Sequence, residues 1–325
     1  MNNLKIFGKF LDQPILISKL NKNMPTIMAS GVGLILGKDA IDTFKNNNPQ
    51  KKKELIKKSV VLSIAIASAL YAPKVASKIT KRAPIESIKE VIFKNKELID
   101  EFTNKNQINN ETAKILNKAQ NKVLSIKEIK KLTSDLNNEN GREFLNRLIP
   151  EPENIKAKDI FSEIGFLSIY GAIPVVGGIL GGIASDIIVG DDYKKTIPDK
   201  INEGVYQYLA NIFMCNIGAG LALGLLEKAN ITSKFARAIA MTSGIILTGV
   251  LGGSKIANLI SEKIISPIVY PNKTSKERKP ELIDMGLHAD DIATVSLLSG
   301  LRWIEPALPI LYSVSGYKAG IGYRN

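Results

Sequence analysis

Residues Ile164–Val189 read IGFLSIYGAIPVVGGILGGIASDIIV, a stretch with one charged side chain, Asp186. An α-helix needs about 20 predominantly apolar residues to cross a hydrocarbon core about 30 Å thick. This stretch is long enough. Three further blocks have the same character: Val205–Leu226, Ala236–Gly253 and Ile292–Tyr317. In lipid a backbone must satisfy its own polar groups, which helices do within one segment. The expected fold is therefore all-α, a polytopic helical membrane protein with four clear spans.

Two shorter apolar runs, Met24–Gly37 and Val60–Ala72, precede these. Runs of about 10 to 14 residues fit short or tilted spans, re-entrant segments and interfacial helices alike. They bring the maximum to six crossings. Between them and the long blocks lies a polar region whose apolar positions keep helical spacing: Ile85, Ile88, Val91 and Ile92, then Ile126, Ile129, Leu132 and Leu136. Ser125 with Glu128 three residues on is a capping-box pattern. Three or four short helices are expected, broken at Asn104–Asn110 and Asn137–Gly141. The organisation read from the chain is a basic N-terminal region (1–83), a small soluble helical insert (84–159) and a membrane domain (160–325).

The 325 residues carry 44 Lys and Arg against 31 Asp and Glu, a formal net charge of +13. Only seven of the cations are Arg, at 82, 142, 147, 237, 278, 302 and 324. Arg is the residue suited to forked phosphate contacts, whereas Lys is a solvated point charge. The cations flank the apolar blocks, so anionic lipid is the expected partner and nucleic acid is not. Short cytoplasmic loops carry the excess of Lys and Arg. That rule puts the Lys-rich insert, the 227–237 loop and the C-terminus in the cytoplasm, with 191–203 and 255–291 outside. Lys51, Lys52 and Lys53 resist the scheme if both short runs cross. The expected location is the cell membrane, of bacterial inner-membrane type.

Several constellations invite a chemical reading. Gly177 with Gly181, and Gly178 with Gly182, have the four-residue spacing that lets membrane helices approach closely. Internal packing is the simplest use, a homo-oligomeric interface another, and Pro174 in the same stretch allows a kink or an unwound, ligand-lining turn. Gln207 and Asn211 share a helix face and can hydrogen bond across to a neighbour. In the last block Arg302 and Glu305 lie one turn apart beside Pro306 and Pro309, with Trp303 and Tyr312 near by. Ionised groups at membrane depth are costly unless paired or wet. The candidate intramembrane polar site is thus Asp186, Asn211, Arg302 and Glu305.

Other signals are weak. His288, the only histidine, sits beside Asp290 and Asp291, which suit a helix N-cap better than a metal site. Asp135–Gly141 has its glycine one position late for a calcium loop. Cys215 is the only cysteine and lies in an apolar block, so no intramolecular disulfide is expected. The first apolar run begins at Met24, behind a mixed segment unlike a cleaved secretory signal. Phosphate-loop, HExxH, CxxC and GxSxG patterns are absent from the sequence. No metal or cofactor is expected. The leading expectation is a non-enzymatic structural or interaction protein, with a protein partner bound through 84–159 or a second copy. The alternative is a small transporter or channel using Asp186, Arg302 and Glu305. An intramembrane enzyme would need Glu163, Asp186, His288 and Glu305 to converge.

Overall fold

A computed structural model describes residues 3–46, 49–150, 157–231, 234–269, 278 and 302–322. The described residues are almost wholly helical and contain no strand. The chain divides into two compact units. The first comprises Met1–Met24, Ile85–Ile155 and Ser296–Ala307, and the second Pro25–Pro84, Lys156–Val295 and Leu308–Asn325.

The first unit contains α1 (Asn3–Leu11), the start of α2 (Pro14–Asn46), α4 (Ile88–Lys105), α5 (Asn110–Ala119), α6 (Ile126–Asp135) and α7 (Glu139–Leu148). Helices α4 to α7 begin at side-chain caps. Ser125 accepts the Glu128 N–H at 3.3 Å while Glu128 accepts the Ser125 N–H at 2.7 Å, and Ser87 and Glu90 do the same at the start of α4. Asn138 caps α7, so the calcium-like stretch is a turn between helices. The core is conventional: Ile99, Leu116, Leu124, Ile129, Leu132, Phe144, Leu145 and Leu148 are buried. Ile6 of α1 joins that core, and the Gln13 amide pairs with both the N–H and the carbonyl of Leu124, at 2.7 and 2.9 Å. The N-terminal helix is therefore part of this unit, although sequence spacing groups it with the basic region 1–83.

The second unit inverts that pattern. Leu180, Ile187, Ile188, Leu221, Leu225, Leu247 and Leu251 are exposed, whereas Asp186, Lys200, Asn202, Glu203, Gln207 and Asn211 are buried. Apolar surface outside and polar groups inside is what a bilayer solvent demands. Four helices among the described residues are long and apolar enough to cross a membrane: Pro49–Thr80, Glu163–Val189, Tyr193–Lys228 and Ile239–Ile268. They contain 27 to 36 residues, or about 40 to 54 Å at 1.5 Å per residue. The first is α3 (Pro49–Thr80), so the short run Val60–Ala72 lies on a span-length helix. The second belongs to α8 (Ala157–Val189), which continues through Pro174 without a break. The third is α9 (Tyr193–Tyr208), a π-helical turn (Leu209–Phe213) and α10 (Met214–Lys228). The fourth falls within α11 (Lys234–Ile245), a π segment (Ile246–Gly253), α12 (Ser254–Ile260), a second π segment (Ser261–Ile265) and α13 (Ser266–Val269). The run Met24–Gly37 lies on α2, which is not among the four.

The expected span Ile292–Tyr317 is not among them either. Its residues 292–301 lie outside the described residues. From Arg302 to Ala307 the chain is a 3₁₀ helix, followed by α14 (Leu308–Ile321). Pro306 and Pro309 lack the N–H groups that an unbroken helix would use. The 14 residues of α14 extend only about 21 Å, less than a hydrocarbon core.

Helix directions follow from the contacts. Along α3 and α8, Arg82 pairs with Glu163 at 3.1 Å, Gly181 faces Ile64, and Lys57 pairs with Asp186 at 2.7 Å, so these helices are antiparallel. Along α8 and α14, Tyr170 meets Tyr312, Gly178 meets Gly316 and Gly182 meets Gly320, so these run parallel. Gly322 consequently lies against Asp199 and Lys200, at the end opposite Arg82.

Candidate functional site

Two faces of α8 do different work. Gly177 and Gly181 face Ser68, Ile64 and Val61 of α3, and Gly178 and Gly182 face Gly316 and Gly320 of α14. A Cβ at Gly178 would overlap the Gly316 carbonyl, and one at Gly316 the carbonyl of Pro174. Only glycine admits main chains this close together. α10 and α11 repeat the device at Gly218 and Gly244.

The remaining face of α8 looks onto α9 and α10, where a polar ridge runs through the interior. Thr196, Lys200, Glu203, Gln207 and Asn211 are spaced by four, three, four and four residues, which keeps them in one stripe of a helix. At its start the Asp186 carboxylate receives Lys57 at 2.7 Å, Lys200 at 2.6 Å and the Thr196 hydroxyl. Lys57 also reaches Asp191 at 2.5 Å, and Lys53 approaches the same carboxylate at 3.5 Å. Asp191 lies just past the end of the span, and the hydrogen bond from Lys57 holds its carboxyl below the usual range.

One turn further along, Glu203 is completely buried. Arg278 donates to its two oxygens at 3.1 and 3.2 Å, and Gln207 donates to one of them at 2.7 Å. Asn211 donates in turn to Gln207 at 2.9 Å. The Arg278 guanidinium also lies 4.4 Å from the centre of the Tyr206 ring, a cation–π contact. Its main chain is gripped from both sides by Asn258, which accepts the Arg278 N–H at 3.0 Å and donates to its carbonyl at 2.9 Å. Asn202 accepts from Ser261 at 2.7 Å, and Tyr206 shares a hydrogen bond of 3.0 Å with Ser254. The third and fourth spans are thus joined by polar contacts at several heights. All three π segments among the described residues, a conformation that is rare and recurs at functional positions, belong to these two spans.

The residues singled out in the sequence are distributed as follows. Asp186 and Asn211 both lie in the interior of the second unit, but in separate networks, one centred on Asp186 and the other on Glu203. Glu305 is half-buried on the 3₁₀ helix and counts with the first unit. The side chains of Arg302 and Trp303, and residues 288–291, lie outside the described residues. Glu163 pairs with Arg82, whose guanidinium lies 4.2 Å from the Phe166 ring centre. Among the described residues no three His, Cys, Asp or Glu side chains cluster to hold a metal.

Lys57, Lys200, Glu203 and Arg278 are site residues that the hydropathy reading missed. Of residues 191–203, read as an external loop, all from Tyr193 onward belong to α9 and carry Lys200 and Glu203 into the interior. The period from Thr196 to Asn211 was the available signal, hidden because a loop ending at 203 and a span starting at 205 cut it in two.

Fold and site together define an all-α, multi-spanning protein with a ridge of charged and amide side chains inside its membrane bundle. Comparison with protein-family models, curated proteins and solved structures finds no match to this chain.

Proposed function

We propose that this chain is a non-enzymatic membrane scaffold, a rigid helical platform that carries a helical interaction unit. The observation that carries the reading is the glycine seam in which Gly178 and Gly182 meet Gly316 and Gly320 main chain to main chain. A seam of that kind resists the sliding and rocking that alternating access requires. The matched interior charges, Asp186 with Lys57 and Lys200 and Glu203 with Arg278, favour the same conclusion. The interacting surfaces in this reading are the insert, for a protein partner, and the Lys-rich helix ends, for anionic lipid. In this reading the end of the bundle marked by Arg82 and Glu163 faces the cytoplasm, because Lys57 and Lys200 at the other end are neutralised by Asp186 and Asp191, which removes their weight from the positive-inside balance.

A second reading rests on the ridge: ionised and amide groups at membrane depth line ion or proton routes in other proteins. Reconstitution into proteoliposomes separates the two. The scaffold reading expects no proton, sodium or potassium flux under an imposed gradient, with the protein monodisperse and folded. Flux that disappears in Glu203→Gln while assembly persists would overturn it in favour of transport.

A further inference from the structure

We infer that α8 and α10 hold a single water molecule between Ser168 and Asn216, within the membrane-spanning bundle. The two side chains face one another by register. Gly171 packs on Ile212, Gly224 approaches Ala157, and the Ala157 N–H donates to Glu227 at 2.8 Å. These contacts fix α8 and α10 as antiparallel neighbours and put Ser168 and Asn216 at the same height. Ser168 lies one turn from Gly171 on the face that also presents Val175 and Ile179 to Gly204. Asn216 lies one turn from Ile212, the residue that packs on Gly171, and its amide N–H donates to the Ile212 carbonyl at 2.7 Å, which leaves Oδ1 as the group to be satisfied.

Both groups are more than nine-tenths buried, Ser168 at 7 % and Asn216 at 3 % exposure. Yet Ser168 Oγ and Asn216 Oδ1 have no hydrogen-bond partner among the described residues. A buried polar atom left unsatisfied costs about 1 to 3 kcal/mol, and such atoms in folded proteins call for a bound water or ion. Chemistry chooses between these. Ser168, Gly171, Ile212 and Asn216 carry no charge, so a cation here would meet no compensating group, whereas two facing oxygens suit the two O–H donors of water. The water lies about one turn beyond Asn211, the last member of the ridge.

The test is a structure of the full-length protein in lipid nanodiscs at a resolution that shows ordered water. One density peak within hydrogen-bond distance of both Ser168 Oγ and Asn216 Oδ1 is expected. A direct Ser168–Asn216 hydrogen bond, an empty contact, or a peak ringed by five or more close oxygens, as for a metal cation, would each overturn the assignment. Melting temperatures provide an independent reading. With water bound, Ser168→Ala and Asn216→Leu each lower the midpoint, and the double variant loses less than their sum because both singles forfeit the same water. If the oxygens are dry, Ser168→Ala removes an unsatisfied group and raises the midpoint, which refutes the inference.

Discussion

Gly178 and Gly316 touch through their main chains, and the contact is closed to any side chain: a Cβ at Gly178 would fall on the Gly316 carbonyl oxygen. Gly165, on the same helix, has no atom within 4 Å of the corresponding position. The pair supplies an internal control. Gly178→Ala should destabilise the membrane unit by about 1 to 3 kcal/mol, the usual range for overpacking. Gly165→Ala should be neutral or stabilising by up to about 1 kcal/mol through helix propensity. Thermal unfolding of both variants in the same detergent measures the difference, and equal midpoints would contradict the seam.

Glu203 and Arg278 form a buried pair, and removing one member strands the other. Glu203→Gln or Arg278→Gln should each cost about 3 to 5 kcal/mol. The double variant should cost clearly less than the sum, since no lone charge remains in it. A double-variant cycle on melting midpoints checks this; additive losses would mean that the two groups do not depend on one another.

Helix direction makes a topological prediction within the second unit. In a Cys215→Ser background, single cysteines at Lys81 and Lys228 should label from one side of sealed vesicles. A cysteine at Lys195 and a C-terminal tag should be reached from the other. Labelling of all four from the same side would break the antiparallel order of α3, α8 and α9 through α10.

In the insert, Asp135 accepts from the Thr112 hydroxyl at 2.6 Å, and Asn109 and Lys131 add to that support. The Thr112 hydrogen bond is the main cause of a carboxyl held below its ordinary value of 3.8. A depressed folded-state value means that this stabilisation is fully present above the unfolded value and is lost as pH falls through the folded one. Amide exchange across α5 and α6 should therefore keep its protection down to about pH 4 and lose it below. Asp135→Asn should flatten that acid limb of the profile.

Much of the architecture is written in local pattern. The apolar blocks from Ile164 and Val205 mark spans because length and hydropathy are properties of a segment by itself. The Ser125–Glu128 cap and the Ile126–Leu136 spacing mark a helix for the same reason. Hydropathy was misled where polar residues belong to a membrane helix, as at Thr196–Glu203.

By itself, the sequence determined that the chain is helical, that it carries segments able to cross a membrane, and that a capped, amphipathic insert interrupts them. These follow from periodicity, segment length and local hydrogen bonding. Only the tertiary structure decided that Asp186 belongs with Lys57 and Lys200, that Glu203 belongs with Arg278, and that α14 runs beside α8 to finish at Asp199. Those pairings join residues as many as 142 positions apart, as Gly178 and Gly320 show by their contact. A charge or a glycine has no preference for any one distant partner until helix packing brings the two together.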